Sequence, residues 1–319
     1  MKGIRILPEN SSVNFIGMRF LAFLFSISLV IGSIFITAEK GLNFGIDFTG
    51  GTLIEIEVPK APDLGDLRTG LNDLGLGAIS LQEFGSDTSF MIRMPQQSGS
   101  AKDRQAAIAK VRAQLDKTFD NKVDYRRVEF VGPQVGEELK KAGLMAIIYS
   151  LGGILAYIWV RFEWQFGLAA ILALAHDTIA TIGLFGITQM EFNLSTLAAV
   201  LMIAGYSIND TVVVFDRIRE DLRRYKKKPL GEVFNVAINQ TLSRTLMTSG
   251  TTLLALIALW IFGGEVIQGF IYALVFGIVV GTYSSIFVAS PILLYLNLDR
   301  NRAARVKDDK GENGVGQGA

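Results

Sequence analysis

Six long apolar stretches constrain this chain more than any other feature. They run over residues 20–38, 142–160, 166–186, 194–215, 242–262 and 268–296. Each is long enough to cross about 30 Å of hydrocarbon, which takes roughly 17 or more apolar residues in a helix. Thr, Ser and Gly dilute the fourth and fifth, yet each keeps a long apolar run. The first follows a short basic lead with Lys2, Arg5 and Arg19. It exceeds the roughly 7–15 residues of a cleaved signal's apolar core, so it reads as a retained anchor.

Short connectors rich in Lys and Arg stay in the cytoplasm. The connector between spans four and five carries Arg217, Arg219, Arg223, Arg224, Lys226, Lys227 and Lys228, and the tail carries Arg300, Arg302, Arg305, Lys307 and Lys310. Residues 187–193 and 263–267 hold no basic residue. Six spans with both termini in the cytoplasm satisfy these connectors, and Arg161 falls on the same side. The chain therefore divides into an N-terminus with span one (1–38), a water-facing domain on the exported side (39–141), spans two to six (142–298) and a Gly-rich polar tail (299–319) expected to be disordered.

The exported segment reads as strand, helix, strand, strand, helix, strand. Residues 52–58 (TLIEIEV) alternate apolar and polar, which predicts a half-buried strand. Residues 63–74 are helical in pattern, with Asp63 or Asp66 as N-cap. Residues 78–84 and 89–94 flank Gly85, Ser86 and Asp87, a hairpin signal. A stripe of Ile108, Val111, Leu115 and Phe119 predicts a helix over 101–119, and 123–131 returns to strand. The βαββαβ order is that of the α+β ferredoxin-like fold. Gly50 and Gly51 supply a sharp turn into the first strand and are assigned no chemistry.

Composition removes most enzyme chemistry. With no cysteine and one histidine, there is no thiol nucleophile, disulfide framework or multi-histidine metal site. A net charge of +1 gives no sign of a nucleic-acid partner. No GxxxxGK[ST] motif marks an ATP site, and no cofactor is implied.

Ionisable groups inside a span are costly, so each is a functional candidate. Asp177 sits mid-span in LALAHDTIAT beside His176, Asp210 sits in AGYSINDTVVVFDRIRE, and Arg244 opens span five in NQTLSRTLMTSGTTLLA. If span four exits near Asp216, Asp210 lies about 9 Å inside that boundary, a depth Arg244 can reach. Three readings stand: a proton-exchanging pair, a structural salt bridge, or an Arg244 that snorkels to water. Asp177 belongs to the same relay or makes a packing hydrogen bond to a Ser or Thr on span four or five; His176 reads as structural. Asp216, Arg219, Glu220, Arg223 and Arg224 are spaced to continue span four as a salt-bridged helix, a solvated face or a docking surface. Thr241, Thr245, Thr248 and Thr252 form a polar stripe, and Gly277 with Gly281 forms a GxxxG; both signal close helix packing.

Three of these segments, GIDFTGGTLIEIEV, AGYSINDTVVVFDRIRE and NQTLSRTLMTSGTTL, resemble the SecD/SecF family of protein-export membrane proteins, within the RND superfamily. The resemblance covers nearly the whole chain. It implies a six-helix RND-type half bundle that pairs with a related half, SecD, in the bacterial inner membrane. It also implies assistance to the SecYEG channel, powered by the proton-motive force, with the exported polypeptide, membrane lipid and protons as further partners. The family's relay Asp and Arg match Asp210 and Arg244. Two rivals remain: an RND-type exporter of lipids or small hydrophobic solutes, and a scaffold that holds a translocon together.

Overall fold

A computed structural model describes residues 12–97, 101–264, 267–296 and 298; the tail expected to be disordered lies outside them. In chain order, a 3-10 turn at Ile16–Met18 leads to α1 (Arg19–Lys40), α2 (Ile46–Thr49), β1 (Gly51–Glu57), α3 (Leu64–Asn72), β2 (Ser80–Phe84), β3 (Ser86–Met94), α4 (Ala101–Thr118) and β4 (Asp124–Val131). Then come α5 (Pro133–Arg161), α6 (Trp164–Thr188), α7 (Leu194–Arg224), α8 (Leu230–Phe262) and α9 (Gln268–Ser284), closed by a π turn at Ser285–Ala289. Among the described residues, six helices are long and apolar enough to cross a membrane, at the six predicted places. The residues fall into two units, one of Asn43–Ala146 with Glu191–Leu194, the other of the remaining helical segments.

In the helical unit α6, α7 and α9 have half or more of their apolar window buried, whereas α1, α5 and α8 have under a fifth. The outer helices present Leu21, Tyr149, Trp159, Val160 and Phe262 to their surroundings, as a lipid-facing or partner-facing surface must. The GxxxG of α9 packs inside the chain: a Cβ on Gly277 would run into Ile203, and one on Gly281 would lie 3.1 Å from Ser207 Cβ, both on α7. At the end where α7 joins α8, Phe162, Phe166 and Phe215 stack edge and face over buried Ile218, Leu222, Val233 and Phe234. That packing corrects one expectation in part. The run of α7 past Asp216 is helical to Arg224, but only one side of it is solvated: Glu220 and Arg224 are exposed, whereas Arg219 and Asp221 are buried. The amphipathic turns of α8 that precede the predicted start of span five cover it with Val233, Phe234 and Ala237. Pro291 lacks the N–H that would continue an α-helix, and the wide π turn precedes it, tied by Ser290 Oγ donating to Ser285 O at 2.8 Å.

In the sheet unit the strands run β2-β3-β1-β4, all antiparallel, which with the βαββαβ order is the ferredoxin-like arrangement. Asp63 caps α3, accepting from Gly65 N at 2.7 Å and Asp66 N at 3.2 Å. Ile54, Ile56, Phe90 and Ile92 pack with Leu71, Val111 and Leu115 of the helices. The expectation of a half-buried β1 fails, since Thr52 through Ile56 are all buried. As a central strand, β1 has a second face closed by Ile46 of α2 over Leu53 and Met91. Gly51 makes the turn into β1 at φ +117°, where a Cβ would lie 2.5 Å from Met94 O.

That second face also carries a polar cluster. Arg93, cross-strand from Leu53, donates to Asn43 Oδ1 at 2.5 Å and Gln82 Oε1 at 3.2 Å, and pairs with Glu191 at 3.3 Å. The connector follows a clasp: Phe192 N donates to Asn43 O at 2.8 Å, and Gly45 N donates to Phe192 O at 2.9 Å. Phe192 also stacks on Phe48. Asp47 Oδ2 accepts the N–H of Leu194 at 2.9 Å, satisfying one of the orphan donors at the start of α7.

Candidate functional site

The three membrane candidates lie at two places in the helical unit. Asp177, on α6, is fully buried. A buried carboxylate needs its lone pairs filled, and three side chains fill them. Ser207 of α7 donates to Oδ2, Ser284 of α9 donates to Oδ2 at 2.7 Å, and His176 Nδ1 lies 2.8 Å from Oδ1. The hydroxyl donors thus come from spans four and six, whereas spans four and five were the expected sources. His176 Nε2 is buried with no partner among the described residues. The His176 ring lies 6.3 Å from that of Tyr283, whose hydroxyl donates to Ala22 O at 2.9 Å and lies 3.1 Å from Ser26 Oγ on α1.

Asp210 follows Ser207 by three residues, nearly one helical turn, so both lie on one side of α7. Its carboxylate is 2% exposed. Ser249 of α8 lies 3.5 Å from Oδ2, and Ser249 Oγ lies 2.7 Å from Thr282 Oγ1 of α9. The hydroxyls of Thr211 and Thr245 are buried with no partner among the described residues. Thr245 precedes Ser249 by one turn on α8, and Thr241 precedes Thr245 by another; all three are buried. The polar stripe of α8 therefore passes through Thr241, Thr245 and Ser249. Thr248 instead turns its hydroxyl to the backbone of Arg244 and Thr245.

Arg244 is exposed and lines a cavity of about 610 Å³ at the α7–α8 end of the bundle, together with Thr241, Val213 and Gln240. Among the described residues no ion pair within 4.0 Å joins Arg244 to Asp210; the ion pairs at this end are Arg161–Asp216, Arg217–Glu220, Arg217–Asp221 and Arg219–Asp216. The structure thus places Asp177 and Asp210 each against a hydroxyl of a neighbouring helix, and Arg244 at the mouth of a polar opening. Ser207, Ser249, Thr282 and Ser284 were not singled out from sequence. The signal available was the four-residue spacing of Thr241, Thr245 and Ser249. Among the described residues no group of three or more His, Asp or Glu side chains gathers to hold a metal.

The chain is similar to known proteins over most of its length. The family model described as protein export membrane protein SecD/SecF, C-terminal, matches residues 110–299, and the SecD/SecF GG motif matches residues 35–60, the segment that forms the clasp. The protein translocase subunit SecF of Rickettsia felis is 48% identical over 290 residues, 91% of this chain and 94% of the relative. That of Cereibacter sphaeroides is 45% identical over 303 residues, 93% of each. Among solved structures, SecDF of Thermus thermophilus, described as a translocon-associated membrane protein, superimposes with a TM-score of 0.81 at 37% identity, covering 91% of this chain. This chain spans 39% of that one. A second SecDF structure, in a super-membrane-facing form, gives 0.67 at 36% identity over 97% of this chain and 42% of its own. The chain belongs to the SecD/SecF family of protein-export membrane proteins.

Proposed function

We propose that this chain is the SecF-type half of a SecD–SecF complex that assists SecYEG-mediated export, using the proton-motive force through a membrane relay of Asp210, Arg244 and Asp177. The observation that carries the relay is the setting of Asp210. It is a buried carboxylate whose contact among the described side chains is a long 3.5 Å approach from Ser249. Orphan hydroxyls at Thr211 and Thr245 stand beside it in the two helices. Buried hydroxyls of this kind are where water completes a hydrogen-bonded path. Arg244, at the cavity mouth, is the cation that stabilises the ionised form when the path narrows and releases it when the path opens. One proton descending 100 mV yields about 2.3 kcal/mol, enough to bias a two-state movement.

The pairing with SecD follows from likeness to a SecDF chain of which this one is less than half, and from the apolar faces left on α1, α5 and α8. The basic connectors support a cytoplasmic reading of both termini and a periplasmic reading of the sheet unit, where it would meet the emerging polypeptide. Single cysteines at Lys227 and Ser98 in this cysteine-free chain should label from opposite sides of intact cells; an impermeant external reagent reaching both sinks the topology. For the relay, Asp210→Asn should insert and assemble with SecD yet lose export stimulation and proton flux in vesicles holding the purified complex. Wild-type flux in that variant would leave the chain a scaffold.

A further inference from the structure

The cavity at the α7–α8 end holds more positive charge than its own carboxylates can use. Five arginines line it, against Asp216 and Glu220. Both carboxylates are already engaged: Arg161 bonds both oxygens of Asp216 at 2.7 and 2.6 Å, and Arg217 bonds Glu220 at 2.6 Å. That leaves Arg219, Arg223 and Arg244. Arg219 has a side chain only 5% exposed; it donates to Arg161 O at 3.2 Å and lies 3.7 Å from Asp216. Its Nε is buried without a hydrogen-bond partner among the described residues, and so is that of Arg223. Buried N–H groups left unpaired are costly unless something fills them. A cavity of about 610 Å³ beside them has room for an anion with a substituent.

Depth favours one source of anion. Arg161 ends the apolar run of α5, and Arg244 stands at the start of that of α8, so the cavity lies where these helices leave hydrocarbon. The adjoining turns expose Trp159 and Val160 on α5 and Leu246 and Met247 on α8, surfaces suited to acyl chains. We propose that this cavity binds the phosphate group of an anionic phospholipid. The planar guanidinium fork matches phosphate oxygens two at a time, and basic pockets at the ends of membrane helices are suited to such headgroups. A zwitterionic headgroup would bring a choline cation against the same arginines. The inference depends on the cavity and not on proton movement, so loss of the relay reading leaves it standing.

The test uses the delipidated full chain in detergent, titrated with phosphatidylglycerol, with phosphatidylcholine of the same acyl chains, with inorganic phosphate and with a polyglutamate peptide. Bound lipid is read by native mass spectrometry. Phosphatidylglycerol should bind saturably and about tenfold or more tighter than phosphatidylcholine, and Arg219→Gln with Arg223→Gln should remove most of that preference. Because that double variant risks misfolding, Glu220→Gln at the exposed rim provides a second arm. It frees Arg217 and should tighten phosphatidylglycerol binding severalfold. Inorganic phosphate binding as tightly as the lipid would make this a free-anion site and overturn the lipid assignment. Polyglutamate displacing the lipid would reassign it to an acidic protein segment. An unchanged lipid preference in both variants would overturn the site itself.

Discussion

In the sheet unit the mostly covered carboxylate of Glu191 faces a guanidinium 3.3 Å away, whereas in the helical unit Asp177 and Asp210 face hydroxyls and an imidazole. The first arrangement fixes a charge. Arg93 compensates Glu191, and both are anchored, Arg93 by Asn43 and Gln82, and Glu191 by a connector clasped to Asn43 and Gly45. The second arrangement leaves the charge adjustable, because a hydroxyl can donate to a carboxylate or accept from a carboxylic acid without moving far. A carboxylate held by hydroxyls can exchange a proton at little structural cost; one held by an arginine serves to hold two segments together.

The largest expected effect tests whether the helical unit needs its cation as a switch. Arg244→Lys should abolish proton-driven export, since an ammonium lacks the fork of a guanidinium, and Arg244→Met should do no better, leaving the buried Asp210 without a nearby cation. Export assays with protein level and SecD association held constant decide it. Near-normal export by Arg244→Lys would make the residue an anchor at the membrane edge. Next comes the fixed pair. Arg93→Met strands Glu191 without its guanidinium in a site where both side chains are under 15% exposed. It should cost the sheet unit about 3 kcal/mol, read as lost hydrogen-exchange protection in β1 and β3. Restoring most of that protection with Glu191→Gln added would show that the uncompensated charge was the cause. Smaller still is Ser284→Ala, which removes one of three donors to Asp177 and should lower thermal stability in detergent by about 1 kcal/mol. No change would mean that Ser207 and His176 suffice.

The difference between the regions also governs what was legible in the sequence. The spans, the βαββαβ order and the positions of Asp177, Asp210 and Arg244 within their helices follow from periodicity and from the rarity of charge in apolar runs. The hydroxyls of Ser207, Ser249 and Ser284 do not stand out, because Ser is cheap in a span and only the packing of α6, α7 and α9 around Asp177, and of α8 against α7 at Asp210, brings these three to carboxylates. Glu191 was legible only as part of a connector without basic residues. Its burial depends on Gly45, where a Cβ would collide with the Glu191 carboxylate, and on α2 closing a sheet face that alternation alone would leave open. Likewise Arg219 and Asp221 carry a surface pattern, and the turns of α8 that pack on their neighbours Ile218 and Leu222 lie beyond the apolar run that marked span five.

The smallest effect is a pH dependence that separates burial from pairing at Glu191. Burial pushes its carboxyl above the ordinary range; Arg93 pulls it down, Asp47 pushes it up and Arg127 pulls it down, with burial the largest influence. A carboxyl whose value is raised on folding binds its proton more tightly in the folded chain. Its contribution is fully present below the unfolded value of about 4.3 and is lost as pH rises through the folded value. Glu191→Gln keeps the shape and the acceptors of Arg93 but removes that titration. Wild type and variant should therefore show equal hydrogen-exchange protection in β1 and β3 at the acid end. As pH rises toward neutrality the wild type should fall behind the variant. Comparing the two proteins at each pH cancels the intrinsic dependence of exchange on hydroxide. The opposite trend, with wild type gaining on the variant as pH rises, would mean that the arginine outweighs burial and that the clasp is held by its ionised pair.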